Sequence, residues 1–433
     1  AGDAPTKNPA TAAANAAGDA VRVEAVGEID IDNAGDILGG TNGIFAQSDV
    51  DIDIINQAGG LIDTDTGFAI DTVGAATTIT SAGDIVGAVD LTDNDDVMTI
   101  EAGGSWDAEA SASDFRLGND LLTNGGTMLA GGGTVLLNLE TFNNTGTLVM
   151  TGGLLSAPQT TSFSSSGTIR AESGAATIDI PGKLANSGLI DLLDGATNDT
   201  LTIDGDFVGS GDSTLAIDAS GDVPDLLAIT GAASGSTDVD VNYLGGFNPT
   251  GVLVVDTGTS TAGAFILDDV IASPIFDLSL VRIGQDFFLI SDPNGSAFNP
   301  LVVPGFATDL WYQSANEIFA ETVKPATTTG LSFWGNLYAS RDRYGDDDET
   351  VTIDGIDFDV DNRVKTKRHG VQLGADYGFA FGRIGLSAGY AWADANGSIG
   401  ANPRARGWNL GLYGQYGGIR GFHGEFLAKH DLH

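Results

Sequence analysis

The chain has 433 residues, a formal net charge of −41 and 62 glycines, with 42% apolar residues. That apolar share sets it apart from disordered acidic chains, and its glycines lack the period of three that a collagen requires. Cysteine is absent, which excludes disulfides and thiolate metal sites, and no apolar run is long enough for a transmembrane helix.

The first stretch, "AGDAPTKNPATAAANAAGDA", is small and polar, so residues 1–22 are read as a flexible low-complexity segment. It has no signal-peptide pattern, so any export signal is expected to lie outside this sequence. Charge then divides the chain. Residues 1–310 carry 6 Lys and Arg against 44 Asp and Glu, whereas residues 311–433 carry 12 against 15. The first part would repel nucleic acid and anionic lipid. Tyr and Trp divide the opposite way, with only Trp106 and Tyr243 before residue 311. These shifts place a boundary near residue 305.

Residues 23–303 repeat. "NAGDILG", "QAGGLID" and "SAGDIVG" start at 33, 57 and 81, and glycines at 126, 146, 167 and 188 each precede a short run of Thr, Val, Ile and Leu. Short glycine-bounded runs of such residues are strands, and a repeat of 20–24 residues is the size of one coil of a β-solenoid. A single coil cannot bury its apolar side, but stacked coils can. A string of antiparallel sandwiches is the alternative; leucine-rich repeats are not, because no coil holds an amphipathic helix.

Catalytic chemistry has little to work with in this region. All four histidines (His369, His423, His430, His433) lie beyond it, which leaves no Ser-His-Asp triad and no His-based zinc site. Adjacent carboxylates such as Asp95–Asp96 and Asp268–Asp269 point to opposite faces of a strand and make poor glycosidase pairs. "DLTDNDDVMTI" (90–100) offers Asp93, Asp95 and Asp96 as calcium candidates, without the glycine-rich nonapeptide period. Otherwise no metal and no cofactor is expected.

Residues 241–291 are more continuously apolar and read as a C-terminal cap. "ATDLWYQSANEIFAETVKP" (307–325) then spaces Leu310, Trp311, Ala315, Ile318, Phe319 and Thr322 as a helix, with Thr308 or Asp309 to cap it and Pro325 to end it. Beyond it the period becomes two. Ile384, Leu386, Ala388, Tyr390 and Trp392 share a face; so do Val371, Leu373, Ala375, Tyr377 and Phe379, and so do Trp408, Leu410, Leu412 and Tyr416. Small and polar residues alternate with them. Apolar residues outward, polar residues inward and aromatics near the ends predict a membrane β-barrel; a soluble lipocalin-like barrel would invert the faces. Residues 343–369 are expected to form an exposed loop or hairpin with "DDDE" at its tip.

"LSFWGNLYASRD", "HGVQLGADYGF", "IGLSAGYAWADANG" and "ARGWNLGLYGQYGG" resemble the first strands of an autotransporter (type V secretion) β-domain. "GVLVVDT…GAFIL…LVRIGQDFFLIS" is similar to the C-terminal part of pertactin-like passengers, and "LTNGGTMLAGGGTVLLNLETFNNTGTLVMTGG" to passenger coils. The likeness covers most of residues 30–433. It implies an all-β protein: a right-handed parallel β-helix (23–303, with 241–291 as an autochaperone-like cap), an α-helical linker (304–325) and the beginning of an antiparallel transmembrane β-barrel (326–433). It implies Trp311, Ile318 and Phe319 in the pore, outer-membrane lipid and the barrel-assembly machinery as partners, and an unknown extracellular ligand. About five strands can be counted from residue 331, and a closed barrel of that family would need roughly seven more, so a truncated barrel is expected. Some relatives cleave their linker at paired Asn; here Asn316 stands alone, and self-cleavage is not expected. The functional expectation is a non-catalytic adhesin or structural surface protein. A polysaccharide-active β-helix enzyme and a soluble solenoid binding protein are the alternatives.

Overall fold

The computed structural model describes residues 6–8, 18–172, 174–267, 271–272, 275–294, 297, 299–324, 329–344, 349–353, 356–360, 363–397, 402–417 and 423–432. Most of the 1–22 segment, the Asp268–Asp269 pair, Pro325 and most of "DDDE" lie outside them. The chain divides into two compact units, Ala1–Ile271 with Leu278–Ser291 and Ala272–Asp277 with Asp292–His433.

The first unit is a parallel β-solenoid of about ten turns. Short strands one coil apart pair in parallel, as in Ile52–Asn56 with Thr77–Ser81 and Leu121–Asn124 with Thr141–Asn144. Parallel pairing between coils removes the antiparallel sandwich alternative. Alternate residues of each strand point inward and form vertical columns. One column runs Ile79, Met98, Leu122, Phe142, Phe163, Leu184, Phe207, each paired with the next. All seven are 2% exposed or less. Phe142 and Phe163 stack with ring centroids 4.5 Å apart. A coil therefore gains most of its burial from the coils above and below it.

The glycines at 126, 146, 167 and 188 occupy a corner where coils touch. A Cβ on Gly167 would lie 2.0 Å from the Gly146 carbonyl oxygen, and one on Gly188 would lie 2.1 Å from that of Gly167. Side chains are excluded there by the adjacent backbone.

Beside this corner the interior is polar. Asn124 donates to Asn144 Oδ1 (2.8 Å), and Asn144 donates to Ser165 Oγ (3.1 Å) and to the Thr168 carbonyl (3.0 Å). Asn33, Asn56 and Ser81 form the same ladder in earlier coils. Such buried amides bond to each other and to the turning backbone.

The parallel ladder stops within the predicted cap. Val252–Ser260 pairs antiparallel with Asp286–Pro293 through Val252↔Leu289 and Leu253↔Phe288. Side chains take its other backbone groups: Thr257 N–H donates to Asp286 (2.9 Å), Ser260 N–H donates to Gln285 (3.0 Å), and Arg282 donates to the Ser260 carbonyl (2.9 Å).

Among its described residues, the second unit holds one α-helix and a five-stranded antiparallel sheet. Helix α1 is Asn299–Thr322. The strands, in chain and sheet order, are β1 (Gly330–Tyr344), β2 (Val364–Phe379), β3 (Gly382–Gly397), β4 (Arg404–Gly417) and β5 (His423–Leu432). The helix starts eight residues before the predicted 307, and neither Thr308 nor Asp309 caps it. Pro304 lies inside it. A proline removes one amide from the helical ladder without forbidding the helix around it. The expected loop or hairpin over 343–369 contains a hairpin, Glu349–Ile353 paired with Ile356–Val360, but its bounds are corrected: Arg343 and Tyr344 belong to β1 and Val364–His369 to β2.

Candidate functional site

The two faces of the sheet differ sharply. Cross-strand register aligns Leu337, Val371, Tyr390, Trp408 and Leu432 in one row, and Phe333, Ala375, Leu386, Leu412 and Ala428 in another. Phe333 is 76% exposed, Leu337 87%, Leu386 65% and Trp408 60%. Ile384, Trp392, Leu410, Leu412 and Tyr416 are exposed on the same face, with Tyr390 half-buried among them. Tyr390 packs edge-on against both Trp392 and Trp408, with centroids 4.6 and 5.0 Å apart. All eight residues expected to face lipid thus lie together on one apolar surface. Monomeric soluble proteins rarely expose a contiguous patch of this kind.

The opposite face is small, polar and covered by α1. Gln372, Asp376, Arg383, Ser387 and Asn409 are buried there. Asp376 accepts hydrogen bonds from Ser332 (2.6 Å) and Tyr413 (2.9 Å). The helix presents Phe306, Leu310, Ala315 and Ile318 as a buried stripe, and Phe306 and Leu310 pack on Val364, Ala391, Ala393 and Ala395. Gly411 lies under the helix: a Cβ there would stand 2.6 Å from Ser387 Oγ on the neighbouring strand and 3.2 Å from Ile318 Cδ1. Of the three expected pore residues, Ile318 is fully buried, while Trp311 and Phe319 are partly exposed. Lys429 reaches the helix, 5.2 Å from the Trp311 ring and 3.4 Å from its carbonyl. Arg368 pairs with Asp309 (3.5 Å) and Asp342, and Arg383 donates to the Lys324 carbonyl. Sequence reading found the two faces but not this network. Its only signal was polar residues alternating with glycine.

In the solenoid, Asp93, Asp95 and Asp96 do not converge. Asp96 is buried and accepts from the backbone amides of Thr77 (2.6 Å) and Thr92 (2.7 Å); Asp93 and Asp95 are exposed, and Asp95 accepts from the Asn119 amide (2.9 Å). Backbone donors hold the carboxylates apart. Among the described residues, the carboxylates close enough to share an ion are Glu28, Asp30 and Asp53 instead.

Among known proteins, the chain is 32% identical over 178 residues to the probable autotransporter YfaL of Escherichia coli (strain K12). The rod and this match fit a pertactin-like autotransporter passenger. The match covers 36% of the chain and 14% of YfaL. The uncharacterized protein YuaQ of the same organism is 35% identical over 111 residues, 24% of the chain and 8% of YuaQ. The chain thus spans only a small part of the curated relatives that it matches. No family model matches it. The passenger reading rests on the solenoid and on the match to YfaL.

Proposed function

We propose that this chain is a surface-displayed passenger, with a sheet that anchors it in the outer membrane of a Gram-negative cell. The observation that carries the reading is the contrast between the sheet's faces. Its outer face is apolar with an aromatic row, and its inner face is polar and filled by a helix. Lipid outside and a plugged, polar lumen inside would each match one face. The nine residues from Leu331 to Ala339 rise about 27 Å along the strand, or about 20 Å along the bilayer normal at a typical barrel tilt. The rod acts as a non-catalytic adhesin or structural surface element. Its lack of histidine and the use of Asp96 by backbone amides support this over a polysaccharide-active enzyme. Its acidity disfavours nucleic acid as a partner, and the ligand is an extracellular one.

The test is fractionation of cells expressing the full-length protein. The expected result is recovery with outer membranes after carbonate extraction, and removal of the rod by protease added to intact cells. Recovery in the soluble periplasm, with the rod protected, would overturn the reading.

A further inference from the structure

Beyond the aromatic row, the outer face of the sheet changes character. Arg343 is aligned with Lys365; Arg341 with Lys367, Asp394 and Arg404; and His369 with Trp392 and Arg406. Arg341, Arg343, Lys365, Lys367, Arg404 and Arg406 are all exposed. Six of the chain's 18 basic residues therefore lie in three neighbouring rows of one face. Asp394 is the acid among them, 3.4 Å from Arg404. Such a concentration runs against a chain with 59 acidic residues, and solubility alone would not require it. Lys365, Lys367, Asp394, Asn396, Asn402 and Arg404 line an open recess of about 590 Å³.

The position of this strip is informative. It adjoins the apolar rows directly, with His369 stacked on Trp392 (5.3 Å) at the junction. It also lies at the end where β1 leads to β2 through residues 345–363 and β3 to β4 through 398–403. At the opposite end β2 and β3 are joined by Ala380 and Phe381 alone. Outer-membrane barrels carry their short turns inside and their long loops outside. A guanidinium or ammonium one or two rows above an apolar belt sits at headgroup depth, where anionic lipid attracts it.

We propose that this strip binds the phosphate groups of an anionic lipid in the outer leaflet, whose acyl chains lie on the apolar rows below. The proposal rests on the membrane reading above and adds a headgroup to it. Continuity of the cationic and apolar surfaces favours a lipid phosphate over a free one, because a soluble anion would make no use of the apolar rows.

The test uses the full-length protein and vesicle flotation. Two vesicles are compared, phosphatidylcholine alone and phosphatidylcholine with phosphatidylglycerol. At low salt the parent protein should prefer the anionic vesicles by about tenfold or more, given the attraction expected per basic residue, and the preference should shrink as salt rises. The variant K365Q/K367Q/R404Q/R406Q should bind neutral vesicles as the parent does and lose the preference. K365R/K367R should keep it, which separates charge from altered folding. Equal binding to both vesicles by the parent, or an undiminished preference in the glutamine variant, would overturn the proposal and leave the anchor intact. Failure to bind neutral vesicles would overturn the anchor as well. Inorganic phosphate at millimolar concentration should leave the preference intact; its abolition would assign the strip to a free anion.

Discussion

Asn144 holds three neighbours at once: it accepts from Asn124 and donates to Ser165 and the Thr168 carbonyl. Replacing it with alanine would leave buried groups on both adjacent coils without partners. Asn144→Ala should lower stability by about 2–4 kcal/mol, read from urea unfolding. The buried carboxylates make a second prediction. Burial pushes Asp96 up to about 6, Asp120 up to about 7 and Asp225 up to about 6, each opposed by backbone donors. Asp120 also faces Asp96, Glu140 and Asp95, which push in the same direction as burial. An unfolded Asp titrates near 4, so the folded rod binds these protons more tightly than the unfolded chain does. Their stabilisation is fully present below about pH 4 and is lost as pH rises through about 6–7. The urea midpoint should fall between about pH 5 and pH 8, with a shallower slope in Asp120→Asn. An equal slope in that variant would assign the effect to general charge repulsion. None of this was legible in the sequence. "DLTDNDDVMTI" suggested calcium ligands because chain order does not reveal which oxygens backbone amides will occupy.

At the scale of the element, the glycine spacing was the most legible signal. Residues 126, 146, 167 and 188 marked the coils correctly, because each repeats one steric requirement. Gly167→Ala would drive a methyl into the Gly146 carbonyl and should cost about 1–3 kcal/mol, measured as a drop in the urea midpoint. A smaller change than in an exposed-turn control such as Gly103→Ala, which meets open space but has φ +95°, would show that coil contact is not what selects glycine. The helix was legible in its apolar spacing and wrongly bounded at its start. Pro304 lies inside the helix without stopping it, and the stripe that fixes the helix begins at Phe306, two residues after it. The strands were legible because period-two patterning survives wherever one face is apolar and the other polar. Lys365 and Lys367 escaped it because charged residues on an outward face look like loop.

At the scale of the whole molecule, two kinds of surface are carried by one chain. The solenoid unit is acidic, and the sheet unit holds most of the basic residues and nearly all of the Tyr and Trp. Composition alone therefore marks a change of surface near residue 305. Leu386→Arg, at the centre of the apolar face, should destabilise the lipid-inserted protein by about 2–4 kcal/mol, measured by urea titration in vesicles. Ser387→Ala, on the inner face of the same strand, should change it far less; equal effects would argue that lipid does not contact the outer face. The end of the solenoid has a consequence of a different kind. A stack of parallel strands is in principle an open-ended polymer, since each finished coil offers the next one a template. Asp286–Pro293 runs the wrong way to be copied, and Arg282, Gln285 and Asp286 occupy the groups that an incoming chain would use. At this end a further coil meets no parallel template in Asp286–Pro293, so copies crowded on one surface gain no coil-on-coil extension through it.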